Sequence, residues 1–124
     1  MTLDVLIVDD NYADRLARGF SEYFGKWAKF VPATSCDEAI QQLAQQRYDA
    51  IILDYNMFPK NGLQTAKDIR VVDVNVKLVG YSVAWDSKNA TEADLKMYTS
   101  EPEPIIRFLI TELIRKEKSR RHKK

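Results

Sequence analysis

The sequence predicts a single α/β domain in which helices cover both faces of a five-stranded parallel sheet. Short apolar runs alternate five times with segments that have the periodicity of amphipathic helices. Two of these runs are apolar almost throughout, as is typical of strands that are covered on both faces. The chain has 124 residues, of which 45% are hydrophobic, and this suffices for the core of one such domain. The alternation favours right-handed crossovers between parallel strands.

The first part of the chain contains three predicted strands. Leu3–Val8 is apolar except for one aspartate, and residues 27–33 alternate loosely as a second strand. Between them, Asn11 predicts the N-cap of a helix that ends at Gly25. Ala50–Leu53 is the third strand, and its continuous apolar character indicates a central position in the sheet.

The remaining elements follow from caps and apolar spacing. A capping box at Ser35 and Glu38 predicts the start of the second helix. Residues 54–62 form a loop before the third helix, and residues 76–81 form the fourth strand.

The last third of the chain is less regular in its apolar spacing. Residues 86–96 have few large apolar side chains and predict a weak, polar helix before a short fifth strand at residues 97–100. Pro104 suits the first position of the last helix, whose apolar stripe runs toward the basic end of the chain.

Composition excludes several classes of protein. The only cysteine is Cys36, so an internal disulfide cannot form. The first residues lack the basic and apolar regions of a signal peptide, and no apolar run reaches the roughly 20 residues that cross a bilayer. We therefore expect a cytoplasmic protein without a membrane partner.

Charge is distributed unevenly along the chain. The last ten residues, 115–124, hold seven Lys/Arg against one Glu, whereas the rest of the chain is acidic. Such an end can bind nucleic acid or an acidic partner, but a short charged helix end is more often only solvated, so we do not expect nucleic-acid binding. We assign residues 1–118 to the domain and residues 119–124 to a basic C-terminal tail that extends the last helix.

Acidic and hydroxyl side chains follow three of the predicted strands. Asp9 and Asp10 follow the first strand, Asp54 follows the third and Ser82 follows the fourth. Ligand sites of open parallel sheets lie beyond the carboxyl ends of the strands, so these side chains are expected to converge there. Three close carboxylates repel one another unless a cation or a shared proton intervenes. Mg²⁺ is the expected cation, because it prefers oxygen ligands and completes its shell with phosphate oxygens.

Asp54 is the predicted nucleophile of this site, because a carboxylate can attack phosphorus to form an acyl phosphate. Asp9 and Asp10 are adjacent on one turn and are better placed as metal ligands. A simpler interpretation is that Asp9 and Asp10 cap the first helix and that Asp54 begins a turn.

The segments around these aspartates resemble the receiver domains of bacterial response regulators, and the likeness covers nearly the whole chain. Val5-Leu-Ile-Val-Asp9-Asp10-Asn is similar to the family's first strand and acidic pair, and Ala50-Ile-Ile-Leu-Asp54-Tyr-Asn-Met is similar to its phosphoacceptor strand. Gly62 follows Asp54 at the family's spacing. The likeness is to chemotaxis-type single-domain receivers and implies a flavodoxin-like, doubly wound (βα)5 fold with strand order 2-1-3-4-5.

The resemblance implies a two-component phosphorelay switch rather than an enzyme that acts on external substrates. Asp54 would accept a phosphoryl group from a histidine kinase or a histidine phosphotransfer protein and would lose it by slow self-catalysed hydrolysis. Ser82 would hydrogen-bond the phosphoryl group, Tyr98 would be the switch aromatic, and the surface of strands four and five and the last helix would signal to a downstream protein partner. The Mg²⁺ ligands would be Asp9 through water, Asp10, Asp54 and the backbone carbonyl of Asn56.

One position departs from the family pattern in its charge. The family places a lysine before a proline after the fifth strand, and this chain has Glu101 followed by Pro102. An anion there would repel a phosphoryl group that a lysine attracts. Lys60, Lys88 and Lys96 are candidate replacements, although each has the character of a solvated surface lysine.

Two other functions remain open at this level. Glu101 is compatible with a receiver-like module that binds proteins without phosphorylation. A Mg²⁺-dependent phosphatase with an aspartate nucleophile would need a second acid two residues after Asp54, where this chain has Asn56.

Overall fold

The computed structural model describes residues 2–122, with side chains through residue 121. Five parallel strands form one sheet, and their order, β2-β1-β3-β4-β5, confirms the predicted flavodoxin-like topology. The strands are β1 (Leu3–Val8), β2 (Ala28–Ala33), β3 (Ala50–Leu53), β4 (Lys77–Tyr81) and β5 (Met97–Thr99).

Helices cover both faces of the sheet. On one face lie α1 (Ala13–Phe24) and α5 (Pro102–His122). The other face carries α2 (Cys36–Gln45), α3 (Gly62–Val72) and α4 (Ser87–Glu92). No helix within residues 2–122 is both long and apolar enough to cross a membrane.

The two central strands explain why the sheet has a core on each side. In β1, Val5 and Ile7 pack toward α1 and α5, whereas Leu6 and Val8 pack toward α2 and α3. Successive side chains of a strand point to opposite faces, so a strand that is apolar at every position fills both cores. All four residues of β3 are buried in the same alternating way.

Two predicted helix starts are corrected by the structure. Helix α1 begins after Tyr12, which makes no side-chain cap, and Asn11 is not the N-cap. Helix α5 begins at Pro102 rather than Pro104. Both prolines lie in its first turn, where backbone N–H groups have no intrahelical acceptor, so neither interrupts the helix.

The predicted capping box of α2 is present in altered form. The Ser35 hydroxyl accepts a hydrogen bond from the Glu38 amide at 3.1 Å, as predicted. The Glu38 carboxylate, however, accepts hydrogen bonds from the amide and the hydroxyl of Thr34, one residue before the cap. In a regular capping box the Glu38 carboxylate would accept from the Ser35 amide. Here two hydrogen bonds from Thr34 take the place of that bond.

Candidate functional site

The predicted acidic residues meet at the edge of the sheet where β1 and β3 end. One carboxylate oxygen from each of Asp9, Asp10 and Asp54 lies within 4.8 Å of the other two. These three residues are called the acidic cluster below. Because β1 and β3 are hydrogen-bonded neighbours, with Val8 opposite Leu53, the residues that follow them emerge side by side.

Asp9 is buried, and its position is fixed by backbone hydrogen bonds. Its Oδ1 accepts from the amides of Asn11 and Tyr12 at 2.9 and 3.0 Å. These two N–H groups lie just before α1, so Asp9 shapes the turn that leads into this helix, as the simpler interpretation of the sequence suggested. This role occupies Oδ1 and leaves the second oxygen, Oδ2, outside both bonds.

Asp10 contributes the oxygen that most directly indicates a cation. Its Oδ1 is buried and, within the part of the chain that the structure describes, has no hydrogen-bond partner. A buried anionic oxygen without a donor is costly, and it lies here among two further carboxylates. A hard divalent cation would satisfy this oxygen, so the donor set fits Mg²⁺.

Asp54 is half-buried, and its acidity is altered by its surroundings. Burial, followed by the negative charge of Asp9, raises the pKa of the Asp54 carboxyl to about 6. Hydrogen bonding from the Tyr55 amide, at 2.8 Å, and from Ser82 acts in the opposite direction. Burial and the repulsion from Asp9 together outweigh these donors, so the negative charge of Asp54 is poorly compensated.

Two residues that support Asp54 shape the backbone around it. Trp85 is buried, and its indole Nε1–H donates to the carbonyl of Leu53 at 2.9 Å, while its ring meets that of Tyr55 edge-on at 5.0 Å. Gly62 packs so closely on this loop that a Cβ would collide with the Asp54 carbonyl and the Trp85 ring. A side chain at position 62 would not fit, so glycine is required there. This explains why a glycine lies at this distance along the chain from Asp54.

Trp85 was not identified from the sequence. It lies in the short loop between β4 and α4, where one large aromatic side chain was the available signal. Its contact with the end of β3 depends on the pairing of β3 with β4, which brings Gly80 beside Leu53.

Comparison with known proteins identifies the family. Residues 5–99 match the family described as the response regulator receiver domain. The chain belongs to this family. A search of the curated proteins found no match.

Solved structures of receiver domains share this fold at low sequence identity. A CheY-like receiver protein from Methanospirillum hungatei is 15% identical, with a TM-score of 0.76, and the alignment covers 96% of this chain and 99% of that one. The receiver domain of a sensor histidine kinase from Pseudomonas aeruginosa, described with a magnesium ion coordinated in its active-site cleft, is 20% identical, with a TM-score of 0.75 and coverage of 91% and 98%. A Thermotoga maritima response regulator, described in complex with Mg²⁺ and BeF, is 20% identical, with a TM-score of 0.70 and coverage of 90% and 99%.

The other predicted site residues are Ser82, Asn56 and Tyr98, and of these Ser82 and the Asn56 amide lie within hydrogen-bonding reach of Asp54. Ser82 directly follows β4, and its hydroxyl accepts a hydrogen bond from the Ala84 amide at 3.1 Å. Asn56 is exposed in the loop after Asp54. Tyr98 lies in β5 opposite Gly80, and 43% of its surface is exposed.

Glu101, at the position for which the family likeness implies a lysine, is exposed just before α5. Its amide donates to the Thr99 hydroxyl at 3.0 Å. Burial and then the negative charge of Glu101 raise the pKa of Tyr81, so the carboxylate acts on the end of β4.

The candidate replacement lysines are placed elsewhere. Lys60 Nζ pairs with the Asp68 carboxylate at 2.5 Å. Lys96 precedes β5 and therefore lies at the opposite end of that strand from Glu101. Lys88 is exposed in the first turn of α4.

Proposed function

We propose that this receiver domain is a phosphoacceptor switch in which Asp54 takes up a phosphoryl group in a Mg²⁺-dependent reaction. The observation that carries the proposal is the acidic cluster, with its buried, unpartnered Asp10 oxygen and the raised pKa of Asp54. Such an arrangement destabilises the fold unless a cation joins it. A module used only for docking would have no physical need for it.

The Mg²⁺ ligands in this proposal are Asp10, Asp54 and the backbone carbonyl of Asn56, with Asp9 acting through water. Bound there, Mg²⁺ would neutralise the charge that develops on the phosphoryl oxygens. The Tyr55 amide, which donates to Asp54 Oδ1, fixes the rotation of the carboxylate. The Asp9 carboxylate is held by the two amides before α1, so the site is ordered before a donor arrives.

The reaction is a simple transfer. An oxygen of Asp54 forms a bond to phosphorus while the bond from phosphorus to the donor breaks. With a phosphohistidine donor, the electron pair returns to the imidazole nitrogen of a histidine kinase or histidine phosphotransfer protein. Hydrolysis later replaces the Asp54 oxygen by water and releases inorganic phosphate, so no oxidant or reductant is required.

Ser82 and Tyr98 are the proposed switch residues. The Ser82 hydroxyl lies within reach of Asp54, and because its oxygen only accepts from the Ala84 amide, its proton can be donated to a phosphoryl oxygen. Movement of Ser82 would open space beside β4 for the half-exposed Tyr98 ring. The altered surface of β4, β5 and α5 would then be recognised by a downstream protein.

The domain in this proposal comprises residues 1–118, and residues 119–124 form a basic tail. Helix α5 runs without interruption to His122, so the described part of the tail continues the helix. Residues 123 and 124 lie outside the described residues.

The experiment is to incubate the protein with Mg²⁺ and acetyl phosphate and to measure its intact mass beside that of Asp54→Asn. The proposal predicts a single phosphoryl adduct on the parent, no adduct on Asp54→Asn, and loss of the adduct when a chelator is present. Asp49→Asn is the matched control, because this aspartate lies at the other edge of the sheet and should leave the adduct unchanged. A parent protein without any adduct would contradict the proposal.

A receiver-like module that binds proteins without phosphorylation is the second candidate, and Glu101 is the observation that favours it. This function predicts that the protein binds its partner equally well as the parent and as Asp54→Asn. It also predicts no measurable affinity for Mg²⁺, so the same preparations distinguish the two functions.

A further inference from the structure

A cavity of about 280 Å³ adjoins the acidic cluster on the side of α1. Asp9 and Ser82 form one part of its wall, so it opens beside the groups that face an arriving phosphoryl group. Its other walls come from the start of α1 and from the ends of β4 and β5. The residues that line it are Asp9, Tyr12, Arg15, Leu16, Tyr81, Ser82, Val83 and Ser100.

Of the described residues that line this cavity, Arg15 is the positively charged one. Its guanidinium carbon lies 5.5 Å from the centre of the Tyr12 ring, a stacking contact that holds the side chain at the start of α1. Among the described residues, no carboxylate forms an ion pair with it. Arg18, one turn later on the same helix, pairs instead with Asp14 at 3.0 Å.

The charge balance of the site gives this arginine a function. Once Asp54 is phosphorylated, the doubly charged acyl phosphate lies beside the carboxylates of Asp9 and Asp10, and one divalent ion does not neutralise this set. Lys60 is engaged by Asp68, and Glu101 is itself an anion. Among the residues that the structure describes, Arg15 therefore carries the positive charge that lines the cavity shared by Asp9 and Ser82 and has no ion-pair partner.

We propose that Arg15 binds the phosphoryl group at Asp54, donating hydrogen bonds to its oxygens from the side of α1. The inference rests on the proposed phosphoacceptor function and adds a residue to it. The planar guanidinium can donate two parallel hydrogen bonds to a phosphoryl group, which a lysine cannot do. Arg15 stays protonated throughout, so it stabilises charge and transfers no proton.

The test uses beryllofluoride, a phosphoryl mimic, with Mg²⁺ and three variants: Arg15→Ala, Arg15→Lys and Arg18→Ala. Arg15→Ala should weaken beryllofluoride binding about tenfold, as expected for the loss of a hydrogen bond between charged groups. Arg15→Lys should weaken it about threefold, since it keeps the charge and loses the fork. Arg18→Ala removes the same charge from the same helix and should change little.

A second readout separates this role from damage to the site. Affinity for Mg²⁺ alone should be unchanged or slightly higher in Arg15→Ala, because removing a nearby cation cannot disfavour a second one. A fall in Mg²⁺ affinity together with beryllofluoride affinity would indicate a structural role and overturn the inference. Equal beryllofluoride binding by Arg15→Ala and Arg18→Ala would overturn the role of Arg15 but not the proposed function. A parent protein that binds no beryllofluoride would overturn both.

Discussion

The two edges of the sheet differ in how their charged side chains are paired. At the edge where the strands begin, Lys77 contacts both carboxylate oxygens of the largely buried Glu112 at 2.7 Å, and Lys116 pairs with Asp49 at 3.0 Å. At the edge where the strands end, the acidic cluster has no such partner among the described residues.

This contrast separates structural charge from functional charge. The larger cavity, about 920 Å³, lies at the edge where the strands begin, and several of its charged residues are paired with one another. The cavity beside the acidic cluster is only about 280 Å³ but adjoins charge that the protein leaves uncompensated. Uncompensated charge, and not cavity size, marks the position at which a ligand is expected.

The largest expected effect concerns the paired edge. Glu112→Ala should lower the free energy of unfolding by about 2–3 kcal/mol, because it leaves the half-buried Lys77 ammonium without a partner. Urea denaturation measures this change. Glu103→Ala, which removes an exposed pair with Arg107, is the control and should cost no more than about 0.5 kcal/mol. Equal losses from the two variants would contradict the distinction.

Removal of a carboxylate from the acidic cluster should raise the free energy of unfolding, in contrast to Glu112→Ala. Without divalent ions at pH 7.5, Asp54→Asn should raise the free energy of unfolding by about 1–2 kcal/mol, after allowance for the partial exposure of the group. The matched variant at the other edge, Asp49→Asn, should instead destabilise the protein by about 1 kcal/mol, because it weakens bonds from Lys116 and the Asp4 amide.

The gain from Asp54→Asn should also depend on pH in a defined direction. The folded pKa of about 6 exceeds the ordinary value of 3.8, so the folded parent binds a proton more readily than the unfolded chain does. The stability of the parent therefore falls as pH rises between these values, and the advantage of Asn is complete above the folded pKa. Denaturation at a series of pH values should show this advantage vanish below about pH 4. An advantage that persists in acid would indicate another cause.

Mg²⁺ should raise the stability of the parent protein by offsetting the repulsion within the acidic cluster. At a tenfold excess over its dissociation constant, it should raise the free energy of unfolding of the parent by about 1.4 kcal/mol. Asp10→Asn should lose most of this increase, since Asp10 holds the unpartnered oxygen. Asp49→Asn should retain it. Thermal unfolding with Mg²⁺ and with a chelator measures the difference.

The smallest expected effect concerns Glu101. Its side chain is exposed, so Glu101→Lys should lengthen the life of the Asp54 adduct only about two- to fivefold. The decay of the phosphorylated mass after removal of acetyl phosphate measures this lifetime. Glu103→Lys, two residues later in α5, makes the same change of charge and serves as the control. An unchanged lifetime would show that Glu101 does not act on the phosphoryl group.

The fold was predictable because its strongest signals are local. Ala50–Leu53 is buried throughout and Leu3–Val8 at every position except Asp4, and this requirement leaves an almost continuous apolar run in each segment of the sequence. The alternation of elements then determines which strand ends are neighbours, and so predicts that Asp9 and Asp54 meet. Helix starts were harder, because the cap of α1 depends on the turn geometry that Asp9 imposes.

The rest of the site depends on contacts between distant segments. Trp85 reaches the carbonyl of Leu53 only after β4 has paired with β3, and no pattern in the sequence predicts this contact. Arg15 is one of two arginines in α1, and both are exposed, so the sequence does not distinguish it from Arg18. Its relation to Ser82 appears only when α1 has packed beside the end of β4.

The most direct measurement is a titration of the isotopically labelled protein with Mg²⁺, followed through its amide resonances. The account predicts saturable shifts concentrated at the residues after β1 and β3, with Asp10 and Asn56 among the largest, and little change around Lys77 and Glu112. Asp54→Asn should weaken this response. Amide signals that remain unchanged at the acidic cluster, or that shift equally at both edges of the sheet, would contradict the claim that these three carboxylates form a cation site.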